Sequence, residues 1–436
     1  MKPTKTAHDN HGDLFKVELK RLIDLSRELV KLGDRMDWDS FDNKFEKYYC
    51  EQGRPAIETR LMVSLHYLKY LEDLSDDEVV LKWRDNPYWQ YFSGRQYFEH
   101  EVPIDSSSMS RWRRRMGEEG AEELLKQTVI TGIKQGYIKK ADCSRVNVDT
   151  TVQPKNVRFP TDARLYDRMR ETLVKRAQSE GIELRQSYER VGKIILRRQQ
   201  NYSHARQPVR AMRETRKLKT LLGRVIRDIE RKTGGSGLLQ NKLALAKRVY
   251  NQQRDDSNKI YSIHEPQVQC IAKGKVHKKY EFGNKAGYVT AARSNWILGA
   301  IGFTSNMYDG HTLDENINQA ERITGVEINQ AAVDKGYRGH GLENRNILIV
   351  PRKKKGASRS LQKWWRRRSA IEPIIGHQKS EHRLDRNRLY YVLGDQINPI
   401  LSACGFNFKK LMRAFCVYIK LGFKIDFNAG FQPSLA

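Results

Sequence analysis

Residues 144–152 read SRVNVDTTV. Val146, Val148 and Val152 mark a β-strand by their spacing, and the strand carries Asp149. Its texture differs from the sequence on either side. Upstream, residues 1–140 read as a helical domain. In LEDLSDDEVVLKW, Ser75 is followed by Glu78 three residues on, a capping-box signature leading into apolar Val79, Val80 and Trp83. In DSSSMSRWRRRMGEEG, a serine cluster precedes Arg111, Arg113, Arg114 and Arg115. A helix with arginines after such a cap either meets DNA or presents a solvated charged face.

Downstream, residues 162–257 are helix-like and basic. RKLKTLLGRVIRDIERK places Leu218, Leu221, Leu222, Val225, Ile226 and Ile229 at helical spacing, which is the core stripe of a helical hairpin. Arg216, Lys217, Lys219, Arg224 and Arg227 surround that stripe and could line DNA. GGSG at 234–237 breaks the helix. From residue 268 strand signals return. VQCIAKG, HKKYEFGNKAGYVTAARS and NWILGAIGFTSN read as successive strands. TLDENINQAERITG reads as a helix, EINQAAVDKGYRG as a strand ending at Asp334, and ILIVPRKKKG as a short strand with a basic exit. The segment holding Glu372 reads as helix, with a bend or helix start at Pro373. The expected class is α/β (α+β), a mixed sheet with helices packed on it. The boundaries are a helical domain at 1–140 and a sheet domain at 141–425 with a basic helical insertion at about 155–265.

Composition limits the function. Of 436 residues, 80 are Lys or Arg and 52 are Asp or Glu, giving a net charge of +28. A field of that size attracts polyanions, of which nucleic acid is the commonest in a cell. No run of about 18 apolar residues occurs, so no membrane span is expected. The N-terminal MKPTKTAHDNHGD lacks a secretory core. Five scattered cysteines with no C-x-x-C spacing argue against disulfides and a cysteine-held zinc, and fit a reducing cytoplasm.

Asp149, Asp334 and Glu372 come from three separate elements. If the fold gathers them, the cluster needs cations, and all-oxygen sites suit Mg²⁺ or Mn²⁺. Two such ions serve phosphodiester cleavage. Trp365, Arg368, Glu372 and Lys379 fall at offsets 0, 3, 7 and 14, which one continuous helix would hold on one face. A carboxylate flanked there by cations suits a metal beside phosphates.

Together these segments resemble a family. VDTTVQPKNVRFPTDARLY, NMYDGHTL, AAVDKGYRG and RRRSAIEPIIGHQKSEHRLDRNRL are similar to the DDE transposases of bacterial insertion sequences, in the insertion sequence 5 group of the insertion sequence 4 superfamily. RPAIETRLMVSLHYLKYLEDLS, NPYWQYFSG and GDQINPILSACGFNFKKLMR extend the likeness over about residues 40 to 420. The resemblance implies an RNase H-like catalytic core and a catalytic, metal-binding triad at Asp149, Asp334 and Glu372. It implies two Mg²⁺ ions, replaceable by Mn²⁺. It places the family's Tyr-Arg-Glu-Lys signature on Trp365, Arg368, Glu372 and Lys379, with Trp365 in place of the tyrosine. It further implies double-stranded DNA as partner, at terminal inverted repeats and target, a homodimer on paired DNA ends, and a cytoplasmic, nucleoid-associated location. Arg111, Arg113, Arg114, Trp365, Arg368 and Lys379 are the expected DNA contacts. Asp309 and His311 in NMYDGHTL match the family too, and their strand-to-helix position favours a capping role. The competing readings are a DNA-binding protein without chemistry and a host nuclease on the same core.

Overall fold

The computed structural model describes residues 16–50, 52–53, 56–234, 239–272, 279–350 and 358–428, with side chains to residue 415. The basic exit at Arg352 to Lys355 and the start of the chain lie outside the described residues. The chain divides into two compact units, one formed by residues 1–153 and 285–436 and the other by residues 154–284.

In the first unit, helices α1 (Thr59–Leu71), α2 (Asp76–Arg84) and α3 (Ser107–Lys134) precede the sheet. The capping box forms as the sequence implies: Ser75 accepts from the Glu78 N–H, and the Glu78 carboxylate accepts from the Ser75 N–H. Helix α3 carries the arginine cluster in its first turns and has a kink at Gly117 (φ 62°, ψ −160°). These helices and the sheet share one hydrophobic core. Tyr67, Leu68, Leu124 and Val129 belong to the same buried cluster as Val146, Tyr288 and Leu298.

The sheet contains β1 (Arg145–Pro154), β2 (Gln269–Ala272), β3 (Tyr280–Ala291), β4 (Ile297–Gly302), β5 (Gln330–Val333) and β6 (Ile347–Ile349). Its order is β2-β3-β1-β5-β6, with β4 also on β3. Strands β2 and β4 are antiparallel to β3, whereas β1, β5 and β6 run parallel. The Ala292 N–H donates to Arg145 and the Lys155 N–H to Phe282, so β3 is antiparallel to β1. Val146, Asn147 and Val148 are all buried, as a central strand covered on both faces requires. Each buried Val or Ile contributes about 1.5–3 kcal/mol.

In the second unit, α4 (Asp162–Ser179), α5 (Glu189–His204), α6 (Pro208–Thr233) and α7 (Gln240–Asn251) surround their own core. All six residues of the Leu218–Ile229 stripe are buried there. Gly192 lets α5 lie on a buried Asp167–Arg170 ion pair, because a Cβ at 192 would come within 2.6 Å of the Asp167 carboxylate.

Four later helices of the first unit bear on the site: α8 (Leu313–Thr324), α9 (Arg359–Arg368), α10 (Ile371–Glu381) and α11 (Tyr391–Asn428). Pro373 sits in the first turn of α10, where its missing N–H costs nothing. The expected helix start is therefore present. The break at Ser369 and Ala370 means that Trp365 and Arg368 ride on one helix and Glu372 and Lys379 on the next, not on one continuous stripe. Helix α11 packs on α1, α3 and β4. A Cβ at Gly405 would meet the Tyr70 carbonyl oxygen at 2.5 Å, so α11 and α1 approach backbone to backbone.

Candidate active site

The register of β1 against β5 builds the site. Arg145 pairs with Gln330, Val146 with Ala331 and Asn147 with Ala332, each pair 185 apart in sequence (330 − 145 = 185). Asp149 and Asp334 are also 185 apart (334 − 149 = 185). Continuing the register by two residues aligns Asp334, in the turn just after β5, with Asp149 on β1. They lie beyond the carboxyl ends of the paired segments, where open α/β sheets carry ligands. Asp149 lies inside β1, which runs on to Pro154. Asp334 caps the turn after β5, accepting from the Gly336 N–H at 2.8 Å.

Glu372 arrives from the first turn of α10. The Asn147 side chain donates to the Arg367 carbonyl at 3.3 Å, tying the end of α9 to β1. From that end Arg368 reaches all three acids. Its guanidinium lies 2.9 Å from Asp149, 3.5 Å from Asp334 and 3.1 Å from Glu372. The structure therefore brings Asp149, Asp334 and Glu372 together around one cation. The Arg368 side chain is 10% exposed, whereas Asp334 and Glu372 keep 47% and 65%, so the cluster opens to solvent on its acidic side.

A fourth carboxylate lies beside them. Asp309 accepts from the Thr150 hydroxyl at 2.6 Å and pairs with Lys285 at 2.8 Å. A Cβ at Gly336 would approach Asp334 at 2.9 Å and Asp309 at 3.3 Å, so this glycine keeps the space between the two acids clear. Asp309 is thus more than the cap suggested by its strand-to-helix position. Its only hint in the sequence was NMYDGHTL, and nothing in the spacing announced its partners Lys285 and Thr150. Burial pushes the Asp149 carboxyl up to about 6; Arg368 pulls against this, while Asp334 and Asp309 add to it. Tyr337 is buried beside Asp149 and Asp309, and burial together with those charges keeps its phenol protonated.

Hard carboxylate oxygens in this number fit a divalent cation such as Mg²⁺ or Mn²⁺, and the clearance at Gly336 fits with them. As placed, no three acid, His or Cys side chains among the described residues enclose a metal position. The Arg368 guanidinium stands at the point on which the three acids converge.

The other expected DNA contacts divide. Arg111 and Arg114 are exposed on α3, with Arg111 donating to the Ser107 hydroxyl at 2.7 Å. Arg113 is buried and turned inward, where it pairs with Asp76 at 2.9 Å and lies against His66. A guanidinium sealed there serves the core and offers DNA nothing. Trp365 is likewise buried, its indole N–H unpartnered, so it presents no open ring to a duplex. Lys379 is half-buried two turns along α10 from Glu372.

Residues 17–115 match the family described as "Transposase domain (DUF772)". The chain is also 48% identical over 207 residues to the protein named "Uncharacterized protein ORF8 in nfe locus" from Rhizobium meliloti. That match covers 48% of this chain and 100% of the Rhizobium protein. No solved structure matches the chain. No helix among the described residues is long and apolar enough to cross a membrane.

Proposed function

The chain belongs to the family of the nfe-locus protein and carries a transposase domain, and from that premise we propose that it is a DDE transposase. It cleaves the ends of an insertion sequence and joins the freed 3′-hydroxyls to target DNA. The observation that carries this reading is the convergence of Asp149, Asp334 and Glu372, from three separated elements, on the single guanidinium of Arg368. Neighbouring acids held in this way form a site that calls for more positive charge than the chain supplies. The strand order supports an RNase H-like core, with antiparallel strands on one side of β1 and parallel strands on the other.

In this reading Asp149, Asp334 and Glu372 would hold two divalent ions, with Asp309 across Gly336 from Asp334. When bound, such ions activate an attacking oxygen and stabilise a leaving oxygen at phosphorus. The chain's own residues do the rest. Arg368 holds the three acids together, and where cations took its place its planar donors would suit a phosphate. Lys285 fixes Asp309, and Gly336 keeps the space open. A dimer on paired DNA ends follows from the need to join two ends in one event.

The test is Mg²⁺-dependent cleavage of a plasmid carrying the gene with its native flanks. Wild type should cut at defined flanking positions. Glu372→Gln should bind the same DNA and leave it intact, a loss of at least about 10³-fold in rate if it removes a ligand from the metal site. Binding without cleavage by both proteins would overturn the enzymatic reading and leave a DNA-binding protein on this scaffold.

A further inference from the structure

A long, strongly one-sided run of charge lies on the α5–α6 hairpin. Between residues 190 and 220 there are ten Lys and Arg against one carboxylate, Glu214, which is buried. Lys193 pairs with Glu189 and Lys217 with Glu214. Arg190, Arg197, Arg198, Arg206 and Arg213 are exposed and have no side-chain partner among the described residues. An ordinary solvated helix face interleaves both signs at i, i+4 spacing, whereas this one repels itself.

Two further features sit at the same end. The turn joining the helices closes in a Schellman arrangement, with the Gln207 N–H donating to the Tyr202 carbonyl at 2.9 Å. Its left-handed position, at φ 53°, favours glycine but holds Arg206. A bulky cation stands where backbone geometry disfavours it. Beside it, Val209 and Met212 are 75% and 56% exposed. With Arg213 and Arg216 they share the outer face of α6, at offsets 0, 3, 4 and 7 from Val209, opposite buried Ala211, Leu218 and Leu222. Like-charge crowding, a strained turn and exposed apolar side chains all disfavour the free hairpin. Nothing the exposed arginines touch among the described residues offsets this, so an external polyanion is the natural complement.

We infer that the tip of the α5–α6 hairpin is a duplex-DNA contact in its own right, with Arg206 at the leading turn and Arg197, Arg198, Arg210 and Arg213 along the phosphates. Val209 and Met212 suit the apolar edges inside a groove. The inference rests on the transposase reading for its choice of DNA as the polyanion, and it adds a DNA-binding surface that the acid cluster does not contain. It also predicts backbone recognition and little sequence discrimination from this surface, because arginines on phosphates fix position without reading bases.

The experiment uses the full chain with Asp149→Asn, so that binding is read without cleavage. Anisotropy of a labelled duplex is followed across salt concentrations, with and without Arg197→Gln, Arg198→Gln, Arg206→Gln and Arg213→Gln combined. The combined variant should lower the slope of log affinity on log salt by roughly 3 to 4, about 0.9 for each phosphate no longer neutralised. Affinity near physiological salt should fall on the order of 100-fold. Arg206→Gly serves as the folding control. Glycine suits the turn, so this variant should melt no lower than its parent while its slope still falls by about 0.9, one phosphate's share. An unchanged slope in the combined variant, with an unchanged melting temperature, would overturn the inference. So would hairpin-dependent binding that is stronger for RNA than for duplex DNA. The two readings fail separately: plasmid cleavage with hairpin-independent binding sinks this inference alone, and hairpin-dependent binding without cleavage sinks the enzymatic reading alone.

Discussion

Two buried arginines organise charge in opposite ways. Around Arg113, two cations share one acid: Arg113 and Lys69 both bind Asp76, at 2.9 Å and 2.6 Å. His66 beside them is neutral, because burial and then Arg113 push its imidazole down to about 3. Around Arg368, one cation serves three acids, with Asp309 nearby already taken by Lys285. The first cluster is mostly covered, with Lys69 and Arg113 both under 5% exposed and Asp76 at 20%, while the second opens at Asp334 and Glu372, at 47% and 65%. A covered cluster with satisfied hydrogen bonds has finished its work when the chain folds. An open cluster short of positive charge has capacity left for a ligand. Both arginines looked alike in the sequence as candidates for DNA, and only the partners separate them.

That contrast can be broken in three ways, taken here from the largest effect down. Asp76→Ala should cost about 3–5 kcal/mol, since it strands two buried cations, and denaturant unfolding will read it. A loss below about 1 kcal/mol would mean that the cluster is more hydrated than its burial implies.

The next concerns pH in divalent-free buffer. The Asp149 carboxyl is raised in the folded state from 3.8 to about 6, so its ionisation opposes folding. The penalty is absent below about pH 4, accrues between 4 and 6, and is complete above 6, where it amounts to about 3 kcal/mol. Asp149→Asn should therefore be more stable than wild type at pH 8, with the gap closing towards pH 4. A gap that stays constant with pH would show that Asp149 does not titrate in this way.

The smallest is Arg368→Gln, expected to cost about 2 kcal/mol without divalent ions, less than Asp76→Ala because Asp334 and Glu372 keep solvent. Millimolar Mg²⁺ should raise the melting temperature of Arg368→Gln more than that of wild type, since no guanidinium then stands among the acids. An equal Mg²⁺ shift in both proteins would remove Arg368 from any competition with the ion.

Much of the sheet was legible because strand signals are local. Val146 and Val148 around Asp149, Asn295 between β3 and β4, and Pro373 at a helix start each act over a few residues. The Leu218–Ile229 stripe was legible for the same reason. What escaped depends on partners far away in sequence. Arg113 turns inward because Asp76 waits 37 residues upstream. Trp365 is buried although its neighbours are basic. Arg368 was expected to meet a phosphate, and its contacts with Asp149 and Asp334 become visible only once α9 is laid against β1. Asp309 joins the site through Thr150 and Lys285, whose spacing carries no periodic signal.

The register of β1 on β5 has one further consequence. The two aspartates are levelled by a backbone ladder and not by the reach of flexible side chains. A ladder moves in whole steps, and a step of one residue turns a side chain to the opposite face of the sheet. A slip in the paired segment would therefore misplace Asp149 against the turn that carries Asp334 by a whole residue. The 131 residues of the 154–284 unit lie between the two strands in sequence (284 − 154 + 1 = 131), yet their length does not enter that alignment. Length added within the helices of that unit, away from β2 and β3, adds nothing to the register itself.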